Sequence, residues 1–277
     1  MSLKLLDYKE TIMPFTKHSE FFDRYASLIA TYSSSGVGEN NILGQLSIAQ
    51  QDSLTVAYAP FDHVPLHADL VIVGITPGHT QAINAIASAS IALRAGKNNK
   101  EASRLAKLTG SFSGPMRANL VSMLDHVGLA SALGIATCAT LFDPAHETVH
   151  LTSVLRYPVF VRGTNYNGAP DMLKTPLLKS MIDTCLTDEA RRLSKAVWLP
   201  LGPQPARALD YLCSRGLLDR RQVLDGLPHP SGANAERIAY FTGRKAREAL
   251  SFKTNPDSLD AALKKLRRQV ADLRWAA

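Results

Sequence analysis

Behind Asp69 the chain runs Leu70-Val71-Ile72-Val73 without a polar residue and then meets Gly74. An apolar run this short, rich in β-branched side chains, predicts a strand buried on both faces, as in a parallel sheet. Apolar stretches bounded by turn residues or a helix predict three more strands, at Ile135 to Phe142, Val149 to Val154 and Ala196 to Leu201. Between them the spacing turns helical. Helices are expected at Ser19 to Tyr32, which the Ser33 to Gly38 stretch ends, and at the alanine- and isoleucine-rich Gln81 to Arg94. Pro115 to Val127 reads as a helix with proline in its first turn and Gly128 as its stop. Thr175 to Ser194, Gln204 to Ser214 and Ala235 to Leu250 follow, and Ser258 to Trp275 is an amphipathic basic helix. The region before Asp69 reads as rich in loops, and Gly96 to Lys100 as a polar turn.

Strands alternating with helices predict an α/β fold, a three-layer α/β/α sandwich around a mainly parallel central sheet. With 277 residues the chain can form one large core. The expected division is a helical and loop extension over 1–60, an α/β domain over 61–252 and a basic helix over 253–277. No internal repeat or low-complexity tract interrupts it.

Charge changes this picture modestly. Lys and Arg outnumber Asp and Glu by 31 to 24, a net charge of +7 that attracts polyanions but is also common in ordinary enzymes. Cys138, Cys185 and Cys213 are odd in number and widely spaced, which argues for reduced thiols and against a disulfide framework or a cysteine-bound metal. No apolar run approaches a membrane span, and Met1 to Lys9 lacks a secretory cleavage pattern, so the expected compartment is the cytoplasm.

Two loops carry the candidate chemistry. Gly74-Ile75-Thr76-Pro77-Gly78-His79 leaves the first strand at the edge where open α/β sheets place ligands, and its glycines allow backbone N–H groups close approach. Leu227-Pro228-His229-Pro230-Ser231-Gly232-Ala233-Asn234 supplies a histidine and opens a helix, whose start suits a phosphate. Strand, Gly-x-x-Pro-Gly turn and distant His-Pro-Ser resemble the signature motifs of the uracil-DNA glycosylase superfamily. Ser111-Phe112-Ser113-Gly114-Pro115 is similar to the loop whose aromatic ring stacks on the base. Val149-His150-Leu151-Thr152-Ser153 is similar to the strand that reads the base edge, and Val197-Trp198-Leu199-Pro200-Leu201-Gly202 to the strand before a glycine turn. The resemblance runs from about Asp69 to Phe241.

It implies an enzyme that flips a base out of DNA and hydrolyses its N-glycosidic bond, leaving an abasic site, with neither cofactor nor metal. The catalytic residues it implies are His229, Thr76 and His79. Gly74, Ile75, Pro77, Gly78, Phe112 and Ser153 would hold the base, and Ser231, Gly232, Ala233 and Asn234 the DNA. Each has a plainer alternative: His229 packing in a proline turn, His79 at the surface, Phe112 in the core, Ser231 capping a helix.

Three departures matter. Thr76 stands where many members carry an acid, and threonine is no carboxylate base. Asp62, His63 and Asp143 are nearby substitutes. Ser153 replaces the usual base-reading asparagine, which vacates volume and points to a modified pyrimidine, such as a hypermodified phage cytosine, as well as uracil. Asn165 and Asn167, in the turn-like loop Arg162 to Ala169, are candidates for the missing amide. Ala233 occupies the place of the wedge residue, with Asn234 beside it. The iron-sulfur cysteines of one branch are absent. The implied partner is double- or single-stranded DNA, the implied state a monomer, and the implied role repair or antiviral defence. Two rival expectations remain: a catalytically silent relative that senses a flipped base, and a small-molecule hydrolase or nucleotide-binding protein. The absence of a Walker loop and of a Gly-x-Ser-x-Gly motif lowers the second.

Overall fold

The structure, a computed structural model, describes residue 15, residues 20–33 and residues 41–273. The chain start, Ser19, the turn residues 34–38 and Trp275 lie outside the described residues. At the centre stands β3 (Leu70–Gly74), every residue of it buried. It pairs in parallel with β4 (Val149–Ser153) on one side and β7 (Val197–Pro200) on the other. A parallel bridge from Trp198 to Val223 extends the sheet beyond β7. The apolar run of β3 needs cover on both faces and receives it.

Because strand side chains alternate, Leu70 and Ile72 enter one apolar cluster and Val71 and Val73 another. The first cluster takes Leu120 and Leu124 from α5 (Pro115–His126), Ile238 and Phe241 from α10 (Ala235–Phe241), and Leu266 and Val270 from α11 (Pro256–Asp272). The second takes Ala82, Ala85, Ile86 and Ala89 from α3 (His79–Arg94) and Ala102 and Ala106 from α4 (Asn99–Gly110). Small residues let α3 and α4 lie close. A Cβ placed on Gly110 would sit 2.8 Å from both Ala85 Cβ and the Gln81 carbonyl oxygen. Gly110→Ala must therefore push the two helices apart, and thermal melts should show a loss of roughly 1–3 kcal/mol.

The mixed α/β architecture and the parallel strands at residues 70, 149 and 197 match the expectation from pattern; four other segments differ. Asn99 and Lys100, expected in a polar turn, open α4, with Asn98 as its N-cap accepting from Glu101 N–H. Ile135 to Phe142 is no strand. Its second half is a 3₁₀ helix, Cys138–Phe142, that buries Cys138, Leu141 and Phe142 at helical spacing. Asp125 of α5 sets it, accepting from Cys138 N–H and Thr137 Oγ1, both at 2.7 Å. The stretch expected to be loop-rich holds β1 (Ser47–Gln51) and β2 (Leu54–Ala57), which with β5 (Val159–Val161) and β6 (Thr164–Asn165) make a four-stranded antiparallel sheet in the order β1-β2-β5-β6. Since β2 pairs with β5, hydrogen bonds cross residue 60 and bind the first part of the chain to the rest. Short strands with serine and glutamine on them leave little alternation to detect.

The helix expected over Ala235 to Leu250 stops at Phe241, because Gly243 adopts φ +74° and Arg244 and Lys245 turn back to the Ala239 carbonyl. Thr175 to Ser194 is helical as expected, as α7 (Pro176–Met181), a π-turn at Ile182–Leu186 and α8 (Thr187–Arg192). On the basic helix α11, Lys265 pairs with Asp225 and Arg267 donates to the His126 carbonyl, while Lys264 and Arg268 are exposed. No helix among the described residues is long and apolar enough to cross a membrane.

Candidate functional site

The loop after β3 opens at the carboxyl edge of the parallel sheet, beside the end of β4. Gly74 stands in register with Ser153. A Cβ on Gly74 would lie 3.0 Å from Phe112 Cε1 and 3.3 Å from Ser153 Oγ, so glycine here is what lets the Phe112 ring approach. Phe112 itself is buried and holds φ +51°, an uncommon conformation for a bulky residue. Arg117 fixes that bend by donating to the carbonyls of Leu108, Thr109 and Ser111 at 2.9, 3.1 and 2.7 Å, with its guanidinium over the Phe142 ring.

The rest of the loop is fastened to the segment from residue 153 to residue 165. Ile75 accepts from Leu155 N–H through its carbonyl. The Thr76 hydroxyl donates to the Tyr157 carbonyl at 3.0 Å and accepts from Val159 N–H at 3.2 Å. Both its roles are thus spent on backbone. Asn165 reaches the N-terminus of α3, accepting from His79 N–H at 2.9 Å and packing against Gly78. His79 is exposed, its ring edge-on to Phe160, and Asn167 is exposed too. Asp143 caps its own turn through Ala145 N–H.

His229 sits on the same edge, one strand away. Leu201 N–H donates to Val73 O, and Gly202, at φ +90°, packs so tightly that a Cβ there would meet His229 Cβ at 3.2 Å. The turn is further held by Asn119 of α5, whose amide donates to the Pro230 carbonyl at 3.0 Å. His229 is half-buried, and burial lowers its pKa below the ordinary histidine value, so the ring is neutral at neutral pH. Its Nδ1 accepts from Ser231 N–H at 3.3 Å, which leaves Nε2 carrying the ring proton as a donor. Gly232 and Ala233 are exposed, while Asn234 donates to the His229 carbonyl and to Ser231 Oγ.

At the carboxyl end of β4 lies a narrow crevice, with space for about one water molecule, walled by Pro77, Phe112, Thr152 and Ser153. Lys107 and Arg156 also line it. His229, Thr76 and His79 do not; His229 faces a separate hollow shared with Arg207, Arg237 and Lys253.

Behind the crevice lies a buried charged cluster. Glu189 is fully enclosed and accepts from Arg156 Nε and Nη2 at 3.0 and 2.7 Å. His150 Nε2 is 3.1 Å from the other Glu189 oxygen but off the hydrogen-bonding direction, and among the described residues neither His150 nitrogen makes a hydrogen bond. Burial works against the Glu189 charge, yet Arg156, His150 and Lys107 hold its carboxyl below the usual range. Burial, reinforced by the Lys107 charge, pushes His150 down to about 4. Lys107 is itself driven down to about 7 by burial. Asp62 accepts from Tyr58 and Tyr157 hydroxyls at 2.7 and 2.5 Å, and His63, lowered to about 3 mainly by burial, offers its carbonyl to Lys107.

A comparison with known proteins matches the uncharacterized protein YoxB of Bacillus subtilis (strain 168), 33% identical over 219 residues, 78% of this chain and 86% of YoxB. The chain belongs to the YoxB family. No family model matches it, and no solved structure does. In this YoxB-family chain Pro77, Phe112 and Ser153 line one crevice, Gly74 packs against Phe112, and His229 lies on the same sheet edge against Gly202. Lys107, Arg156, Thr152 and Glu189 escaped detection. Lys107 looks like one more surface lysine in sequence; only its place among Ala102, Ala106 and Gly110 on the buried side of α4 marks it.

Proposed function

We propose that this protein is a DNA glycosylase of the uracil-DNA glycosylase type, with a three-layer sandwich of that kind. It everts a base, a modified pyrimidine or uracil, and hydrolyses the N-glycosidic bond to leave an abasic site. The observation that carries this is the Phe112 ring packed against Gly74 at the carboxyl edge of β3 and lining one crevice with Ser153, Thr152 and Lys107. The strand order β4-β3-β7, covered by apolar clusters on both faces, supports the fold part of the reading. His229 supports the chemical part, as a neutral donor one strand away. Exposed Gly232, Ala233 and Arg237 suit contact with a DNA strand, and a cytoplasmic monomer acting in repair or antiviral defence fits the reading.

Product analysis tests it. The purified protein is incubated with uracil-containing DNA and with several naturally modified DNAs, and at least one should yield free base and an abasic strand. Release from none, with firm DNA binding, would favour a second reading, a silent sensor of flipped bases. The backbone bonds that occupy the Thr76 hydroxyl, in a loop without an acid, favour that alternative. A protein that binds no DNA at low salt is neither, because phosphate contacts strengthen as salt is removed.

A further inference from the structure

The Lys107 ammonium is the unexplained group of this site. Its side chain is 3% exposed, on the sheet-facing side of α4. Among the described residues its Nζ has one hydrogen-bond partner, the His63 carbonyl at 2.7 Å, and no carboxylate oxygen within 4.0 Å. Glu189 gives one oxygen to Arg156 and turns the other toward His150, and Asp62 serves its two tyrosines. A buried cation without a paired anion is costly, and a fold that needed only packing would carry methionine or leucine there. Lys107 and Thr152 line the crevice together, and among the described residues the buried Thr152 hydroxyl has no hydrogen-bond partner. Phe112 stands on the same crevice as an aromatic wall. A flat ring stacked on Phe112, with an electronegative oxygen toward the ammonium and hydroxyl, would satisfy both.

We propose that Lys107 is a catalytic residue that donates to an oxygen of the everted base and stabilises the negative charge collecting there, with Thr152 as its companion donor. The inference rests on the base-excision reading and deepens it. In the step it serves, the bond from C1′ to the base nitrogen breaks and its electron pair stays on the base. The water oxygen bonds to C1′ and sheds a proton, which the base takes up. Lys107 forms no covalent bond. An ammonium preorganised in a dry site is stronger for this than one in water, because no solvent reorganises around it.

Lys107→Met, which keeps the volume and removes the charge, should slow single-turnover base release at least tenfold while DNA affinity changes little. Lys107→Arg should restore part of the rate. The groups facing Nζ are Glu189 and Arg192 of α8, Arg156, His150 of β4, and Asp62 and His63 of the preceding loop. Net of these, the amine loses its proton near pH 7. Wild-type kcat/KM should therefore fall as pH rises through about 7, and the fall should be absent in Lys107→Arg.

Stability gives a second readout. Below about pH 7 the folded protein carries a buried charge that the unfolded chain keeps in water, so Lys107→Met should melt at or above the wild-type temperature there. That gain should fade as pH rises from about 7 toward the unfolded value of about 10.4, because the folded amine is then neutral and the unfolded one loses its proton too. A merely structural lysine would instead leave a less stable variant. Base release by Lys107→Met at the wild-type rate overturns the proposal. If the wild type releases no base from any DNA, calorimetric titration with free uracil and free 5-hydroxymethylcytosine still decides. Binding that Lys107→Met weakens at least tenfold upholds the site while the excision reading fails, and no binding, or equal binding by the variant, overturns the site as well.

Discussion

Glu189→Ala is expected to cost about 3–5 kcal/mol, a large part of the roughly 5–15 kcal/mol that holds a domain together. The reason lies in what remains. Arg156 is 2% exposed, and Glu189 is its salt-bridge partner at 2.7 Å. Without that carboxylate the guanidinium keeps, among the described residues, one hydrogen bond, 3.3 Å to the Cys185 carbonyl, and burial opposes its charge with only the weaker pull of groups such as Asp62 against it. Urea or thermal unfolding measures the loss. Replacing both partners by apolar residues, Glu189→Leu with Arg156→Met, should recover much of it, since two charges then leave together. A single variant as stable as the wild type would show that the pair does not hold the fold.

The same cluster sets the response to acid. Glu189 has a folded pKa below its ordinary value, so its stabilising contribution is fully present above about pH 4.3 and is lost as pH falls further toward the folded value. His150 acts earlier. Folded, it titrates near 4, against about 6.5 unfolded, so between those values only the unfolded chain takes up the proton and stability falls with pH. His63, lowered to about 3, adds in the same direction. Denaturant midpoints should therefore decline below about pH 6.5, and His150→Phe should remove part of the upper stretch of that decline.

These groups mark where the sequence stops being informative. A run such as Leu70 to Val73 announces a doubly covered strand because its pattern is local, and Gly74, Pro77 and His229 announce themselves because turn chemistry demands particular residues at fixed offsets. The antiparallel sheet is hidden by its size: β5 and β6 span only Val159–Val161 and Thr164–Asn165. Lys107, Arg156 and Glu189 are hidden for another reason. Each is ordinary in its own neighbourhood, and they acquire meaning only when α4, the end of β4 and α8 pack against one another. Charge is read locally in sequence, whereas burial is a property of the assembled fold.

His229→Ala is expected to lower the rate of base release by roughly 10²–10³-fold with DNA affinity nearly unchanged, the loss that follows removal of one preorganised donor from a developing anion. The donor is defined before any substrate arrives: Ser231 N–H occupies Nδ1, Nε2 keeps the proton, and burial prevents a second one from binding near neutral pH. His229→Gln retains an N–H at comparable reach and should keep part of the activity. Because the folded pKa is lowered, this ring should put no break in the rate profile at pH 6.5 itself, only at lower pH. Gly202→Ala offers an independent check from the neighbouring strand. Its Cβ would press on His229 Cβ at 3.2 Å from a backbone at φ +90°, so activity should fall along with stability. The ring faces a different hollow from the crevice that Phe112 walls, so the proposed reading requires the substrate to bridge the two. A base stacked on Phe112 while its sugar and phosphate cross the carboxyl edge of β3 toward Gly202 would do so. Turnover by His229→Ala at the wild-type rate would mean that no such bridge forms.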